Sequence, residues 1–133
     1  MAATVATHVH QTQEPKKYYA ATFLNIYVDA AETNVIKVDK STLTGPDGTE
    51  PSMLAIEKVQ WCIGGYTSVK ISFDHTTDVN ALVLAPGCGS FDFSAFGGMQ
   101  ITAAGDTGDI MFTTAGTTAT NNYCITLTLR KID

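Results

Sequence analysis

The chain has 133 residues, 44% of them hydrophobic and 16% charged, so it can bury one real core and is too apolar for wholesale disorder. Eight Lys and Arg against thirteen Asp and Glu give a formal charge of -5, which disfavours binding to free DNA or RNA. No run approaches the roughly 18 apolar residues that span a bilayer, and the first ten residues lack the basic and apolar regions of a signal peptide, so neither a membrane partner nor export is expected.

The N-terminal part is predicted to be an extended arm. Residues 1–17 are polar and show no sustained period of 2 or 3.6, and a single β-domain is expected over residues 18–133. Residues 18–28 are rich in aromatic and branched side chains and predict a strand, followed by a shorter one over Val35–Val38. Asp29–Glu32 could begin a helical turn. Residues 41–52, dense in Gly, Pro and Asp, predict a surface loop.

A β-hairpin is predicted in the middle of the chain. Two strand-like runs, residues 53–63 and 66–73, flank Gly64-Gly65, and a glycine pair at that position suits a tight turn with positive φ. In the second run Val69, Ile71 and Phe73 alternate with polar residues, which predicts one buried and one wet face.

Further strands are predicted over residues 81–84, from about Ser90, over 110–113 and over 123–132. The last places Tyr123, Ile125, Leu127 and Leu129 on one face and Cys124, Thr126, Thr128 and Arg130 on the other. Seven to nine short strands without an amphipathic helix predict an all-β fold, either an antiparallel jelly-roll-like sandwich or a small barrel.

The three cysteines, Cys62, Cys88 and Cys124, are an odd number and include no Cys-x-x-Cys pair. This spacing is a poor match to a disulfide framework or a zinc site, so we expect buried free thiols.

Several residue groups could in principle carry chemistry. His8 and His10 would share one side of an extended segment as metal ligands, but only His75 is available as a further histidine. Pro86–Ser90 is glycine-rich, but a predicted strand rather than a helix follows it, so a bend is favoured over a phosphate cradle. Cys88, His75 and Asp92 could be written as a catalytic triad, although any chain with these residue types would satisfy that pattern.

Two further groups, four aspartates and a set of aromatic residues, could form a binding site, but a structural role is favoured for each. Asp74, Asp78, Asp106 and Asp109 could gather around a cation, but no calcium-loop motif is present and turn-forming roles are favoured. Early aromatics and Trp61 could form a stacking platform, although core or interface roles are favoured; the early set is Tyr18, Tyr19, Phe23 and Tyr27. We therefore expect no catalytic residues, no cofactor, no metal and no enzymatic activity.

The second half of the chain resembles a family of small structural proteins of tailed bacteriophages, particularly aquatic and marine ones. The likeness covers about residues 53–132. Its phrases are Ile56-Glu57-Lys58-Val59, Phe73-Asp74-His75-Thr76-Thr77-Asp78, Phe91-Asp92-Phe93, Phe96-Gly97-Gly98, Gly105, Thr107-Gly108-Asp109-Ile110, Thr113-Thr114 and residues 123–131. Cys62 and Cys88 stand where ordinary strand or loop residues are expected in that family.

The resemblance implies a virion component and no carried-over catalytic residue. Together with the acidic charge, it leads us to expect a capsid decoration or cement protein on the outside of the head, with the major capsid protein as partner. Copies are expected to associate with one another, as trimers by shell symmetry. Lys16, Lys17, Tyr18 and Tyr19 are the expected contacts to capsid or neighbouring subunits. The alternatives are a neck, tail or fibre-associated subunit and a glycan-binding β-sandwich.

Overall fold

A computed structural model of the chain describes residues 4–10, 18–27, 31–45, 47–74, 78–99, 109–118 and 120–132, with side chains from residue 18 onward. These residues form nine strands: β1 (Thr4–His10), β2 (Tyr18–Ile26), β3 (Val35–Val38), β4 (Met53–Gly64), β5 (Ser68–Phe73), β6 (Val79–Leu84), β7 (Gly87–Asp92), β8 (Ile110–Ala115) and β9 (Asn122–Ile132). Two short 3-10 helices span Lys40–Thr42 and Ser94–Phe96. No helix in these ranges is long and apolar enough to cross a membrane.

The strands form two antiparallel sheets, ordered β1-β2-β9-β4-β7 and β3-β8-β5-β6. From β2 to β9 this is the strand order of a jelly roll, a sandwich of two four-stranded sheets built from two Greek-key motifs. β1 adds a fifth strand at the edge of the larger sheet. The predicted all-β sandwich is confirmed, whereas the alternative of a small barrel is wrong, because the described strands form two separate sheets.

The core lies between the sheets and follows the alternation of the strands. β9 runs between β2 and β4, and its inward residues are fully or almost fully buried as predicted: Tyr123, Ile125, Leu127 and Leu129. Phe23 of β2 meets Phe112 of β8 edge-on, with 5.3 Å between the ring centroids. This contact joins the two sheets through their aromatic side chains.

The predicted hairpin over residues 53–73 is wrong, although both of its strands exist. β4 pairs with β7 and β9 in one sheet, whereas β5 pairs with β6 and β8 in the other. Gly65, with a φ of 87°, turns the chain, and Tyr66 then enters the space between the sheets. A glycine pair permits a crossover between sheets as readily as a hairpin turn, so the local pattern could not distinguish them.

The N-terminal segment contains a strand of the domain's own sheet. β1 pairs along β2 from Thr4 opposite Ile26 to His10 opposite Ala20. Residues 11–17, including Lys16 and Lys17, lie outside the described residues. The predicted helical turn at residues 29–32 is only partly described, and Glu32 is not helical.

Candidate functional site

The candidate surface is the outer face of the larger sheet, formed by the outward-pointing residues of β2, β9, β4 and β7. Opposed residues of paired strands lie side by side, so the strand registers define rows across this face. The first row is Leu24, Cys124, Cys62 and Cys88; the second is Thr22, Thr126, Gln60 and Ser90; the third is Ala20, Thr128, Lys58 and Asp92. One sulfur row is therefore followed by a hydroxyl and amide row.

Polar contacts tie the second and third rows together. The hydroxyl oxygens of Thr22 and Thr126 lie 2.9 Å apart. Nζ of Lys58 lies 4.0 Å from Oδ2 of Asp92. Both side chains are more than half exposed, so this ion pair contributes little to stability. The Ser94 hydroxyl and backbone N–H lower the pKa of Asp92. The outer face is thus rich in hydroxyls and almost neutral.

The sulfur row corrects the prediction of buried free thiols. Cys62 and Cys88 form a disulfide, with Cα atoms 4.0 Å apart, and Cys124 is a free cysteine that is exposed. The two bonded residues are 26 positions apart in sequence and meet only because β4 and β7 are neighbours. A shallow depression of about 350 Å³ lies over this row and is lined by side chains and backbone of residues 60–62, 88–90, Cys124 and Thr126.

An aromatic strip lies on the inward side of β4 and β7. Trp61 and Phe91 have ring centroids 5.1 Å apart, and Phe91 stacks on Phe93 at 5.7 Å. A Cβ on Gly89 would lie 2.7 Å from the Trp61 ring, so glycine is what allows the indole to lie across β7. Phe91 remains 47% exposed. The strip is therefore partly covered and partly open.

The early aromatics and Trp61, which were considered as a stacking platform, are not brought together. Phe23 and Tyr27 are buried in the core, which confirms the core interpretation for these two. β2 is separated from β4 by β9, so Trp61 lies two strands away from them. Tyr18 and Tyr19 begin β2 opposite Arg130 and Leu129, and burial raises the pKa of Tyr19.

A buried ion pair supports one end of the core. Lys37 of β3 donates a hydrogen bond to Oε2 of Glu32, and the side chains are only 4% and 6% exposed. The Tyr123 hydroxyl donates to Oε1 of Glu32 at 2.6 Å. The Thr114 backbone N–H donates a hydrogen bond of 3.0 Å to the Glu32 carbonyl. Burial, followed by the hydrogen bond and charge of Glu32, raises the pKa of Tyr123.

This group is arranged as a support for the fold, because its charges are paired and enclosed. Next to it the Tyr66 hydroxyl donates to Oδ1 of Asn25. Burial, and then the Glu32 charge, raises the pKa of Tyr66 to about 12. Nothing in the sequence pattern singled out this pair, since Glu32 lies in a predicted turn and Lys37 is the one polar residue of the short predicted strand Val35–Val38.

The four aspartates considered as a cation site, for which turn-forming roles were favoured, are only partly brought together. Asp109 accepts the Lys40 N–H through Oδ1 at 2.8 Å, and its carbonyl accepts the Asp74 N–H at 2.9 Å. Burial, together with nearby carboxylates, raises the pKa of Asp109. Asp78 is exposed and Asp106 is not described. In the described part of the chain, no three acidic, histidine or cysteine side chains are placed to hold a metal.

The remaining candidates do not form a described site. Cys88 is bonded to Cys62 and is not a free nucleophile, which removes it from the considered triad with Asp92, and His75 is not described. A strand follows Pro86 and no helix does, but β7 begins at Gly87 rather than near Ser90 as predicted, so the bend is confined to Pro86. His8 and His10 lie in β1, but their side chains are not described.

No protein-family model matches this chain, and no curated protein matches it significantly. Among solved structures, it resembles the STIV MCP at 11% sequence identity and a TM-score of 0.45, covering 97% of this chain and 42% of that one. The chain therefore spans less than half of that protein. A family 11 carbohydrate-binding module of the cellulase Lic26A-Cel5E of Clostridium thermocellum gives 8% identity and a TM-score of 0.30, covering 100% of this chain and 84% of that one. Neither likeness is close enough to transfer a function.

Proposed function

We propose that this chain is a structural protein of a tailed-bacteriophage virion, specifically a decoration protein that binds between major capsid subunits on the outside of the head. The observation that carries the proposal is the jelly-roll strand order, an architecture used by viral capsid and lectin domains. The resemblance of residues 53–132 to phage structural proteins supports it, and those residues run from β4 to β9.

One of the segments that carry the resemblance, Phe96-Gly97-Gly98, has a structural rather than a chemical role. Gly97 and Gly98 have φ values of 80° and 87°, and a Cβ on Gly98 would lie 3.0 Å from that of Ala55. This close approach lets Met99 and Ile56 exchange two backbone hydrogen bonds of 2.8 Å. This segment therefore holds the backbone of the domain together, which suits a structural protein. We propose no enzymatic activity.

An exposed aromatic marks the proposed contact with the shell. Phe96 is 83% exposed at the end of the Ser94–Phe96 turn. Arg130 donates to the Gly97 carbonyl and to Glu57, and it lies opposite Tyr18 in the sheet. Arg130 therefore ties the loop that carries Phe96, through Gly97, to the end of β9 that lies opposite Tyr18. We define this as the Tyr18–Phe96 patch.

The patch extends the expected contacts, Lys16, Lys17, Tyr18 and Tyr19, to a second loop. Aromatic and Arg side chains are the groups most often responsible for binding energy at protein interfaces. Many identical copies on a shell also compensate for a modest affinity per copy. Trimers at local three-fold positions of the shell would satisfy its symmetry.

Phe96→Ser tests the patch, with Val83→Ser as a matched control because Val83 is 62% exposed on β6 of the other sheet. Both variants should unfold at the same denaturant concentration as the wild type. Phe96→Ser should weaken binding to undecorated capsids about tenfold, the effect of losing about 1.4 kcal/mol, and Val83→Ser should not. Equal binding by both variants would exclude Phe96 as a contact.

A glycan-binding module is the second candidate, because the jelly roll also serves lectins and Phe91 is half exposed beside Trp61. Binding to a glycan array that is lost in Phe91→Ala, without a loss of stability, would favour it over decoration. A neck, tail or fibre position differs in copy number: quantitative mass spectrometry of purified particles would find about a dozen copies or fewer rather than hundreds.

A further inference from the structure

We propose that the three cysteines of the outer face form a thiol–disulfide exchange site. The thiolate of Cys124 attacks Sγ of Cys62, the Cys62–Cys88 bond breaks, and Cys88 leaves as a thiolate. One S–S bond forms as one breaks, and the negative charge moves from Cys124 to Cys88. No external oxidant or reductant is needed.

The strand registers place the three sulfur-bearing residues in a single line. Cys62 lies in the middle strand, opposite Cys88 of β7 on one side and opposite Cys124 of β9 on the other. All three residues are exposed on the same face. The attacking sulfur therefore approaches Cys62 from the side opposite the leaving sulfur, which is the direction that displacement at sulfur requires.

The two pairs differ in backbone spacing. The Phe93 N–H donates to the Glu57 carbonyl at 2.7 Å, which makes residues 57 and 93 a hydrogen-bonded pair. Pairs alternate along an antiparallel ladder, so Cys62 and Cys88 form a non-hydrogen-bonded pair. Their Cα separation of 4.0 Å agrees with this closer type.

The N–H and C=O of Cys62 therefore point away from β7 and toward β9. Cys62 and Cys124 thus form a hydrogen-bonded pair, the type with the wider Cα separation. Such pairs have Cα atoms about 5.5 Å apart, within the range of about 4.4–6.8 Å that disulfides span. The Cys62–Cys88 bond is the one present in the structure, and the wider Cys62–Cys124 pair has a Cα separation at which the exchanged bond can form. Exchange moves the free thiol from β9, inside the sheet, to β7 at its edge.

A thiol at the edge strand is open to reaction with a low-molecular-weight disulfide such as oxidised glutathione. The Cys88 thiolate would attack it, form a mixed disulfide and release one glutathione thiolate. Exchange would thus create a modification site at Cys88 on the edge strand β7, whereas Cys124 alone would offer a thiol only on β9, inside the sheet.

The test is disulfide and thiol mapping of the full chain under non-reducing conditions. Iodoacetamide at low concentration reacts slowly, so exchange can occur before the free thiol is blocked. No Lys or Arg lies between Lys70 and Arg130, so trypsin leaves Cys88 and Cys124 on one peptide and cleavage at aspartate is required. We expect alkylation at both Cys88 and Cys124, together with a Cys62–Cys124 linkage.

Variants separate exchange from random reactivity. Cys124→Ser should abolish alkylation of Cys88. Cys88→Ser, oxidised with oxidised glutathione, should form the Cys62–Cys124 bond. Cys62→Ser leaves two thiols separated by a whole strand, about 9.5 Å, and should form no intramolecular bond. Alkylation of the wild type at Cys124 alone, or no bond in Cys88→Ser while circular dichroism shows a native fold, would overturn the proposal.

Discussion

Replacing Tyr123 by Phe should destabilise the fold more than the same change at Tyr66. Tyr123 donates to a buried carboxylate, Glu32, at 2.6 Å, whereas Tyr66 donates to the neutral amide oxygen of Asn25. A hydrogen bond to a charged group contributes about 1.5–3 kcal/mol and a neutral one about 0.5–1.5 kcal/mol. Both hydroxyls are buried and both changes leave the ring in place. Because the Tyr66 hydroxyl also hydrogen-bonds with Thr114, the difference is a lower limit on the contribution of the Glu32 charge.

We therefore expect a loss of about 2 kcal/mol for Tyr123→Phe and about 1 kcal/mol for Tyr66→Phe. The assay is urea unfolding without reductant, followed through the fluorescence of Trp61, the chain's single tryptophan. For a domain of this size, 2 kcal/mol corresponds to a fall in melting temperature of about 6–10 °C. If Tyr123→Phe costs no more than Tyr66→Phe, the buried Glu32 contact does not support the fold as described.

Two further predictions concern the turn after β4 and alkaline pH. Gly65→Ala should cost about 1–3 kcal/mol, because Gly65 has a φ of 87° and an added Cβ would lie 2.1 Å from Oδ1 of Asn121. Gly48→Ala is the control: its φ is 86° but nothing lies within 4 Å, so an equal loss in urea unfolding would contradict the close contact. The pKa of Tyr66 is raised from 10.0 to about 12, so the folded state favours the neutral phenol. The resulting contribution to the free energy of unfolding is fully present below pH 10 and is lost as pH rises through 12. Tyr66→Phe should make the loss of stability above pH 10 less steep without abolishing it, because Tyr19 and Tyr123 also have raised pKa values; an unchanged slope would argue against the raised pKa of Tyr66.

Strand faces could be predicted from sequence because each buried face leaves an alternating pattern. Val69, Ile71 and Phe73 in β5 are buried as predicted, and β9 follows its predicted alternation over its whole length. Ser72 departs from the pattern because the pairing of β5 with β6 shifts register between Ile71 and Ser72, and its hydroxyl is buried. Alternation therefore reports burial well except where a bulge interrupts the ladder.

Strand partners could not be predicted, because pairing in a jelly roll joins residues far apart in sequence. The Gly64-Gly65 step predicted a hairpin, yet β4 pairs with β9, whose residues lie about half the chain away. The Cys62–Cys88 bond depends on the same non-local pairing, since it needs β7 beside β4. The three-cysteine row could be found only after both registers were known.

The buried Glu32–Lys37 pair was missed for a different reason. Charged residues in a turn or a short strand normally face solvent, and only the packing of residues 32–37 against β8 and β9 encloses these two. The Tyr18–Phe96 patch likewise depends on Arg130, which joins a loop to a distant strand.

A reconstruction of the intact virion, at a resolution that traces the two sheets, tests the proposed role most directly. We expect hundreds of copies on the exterior of the head, each contacting major capsid subunits through the Tyr18–Phe96 patch. Density for this jelly roll at the portal or tail, or a shell without it, would exclude the proposed decoration role.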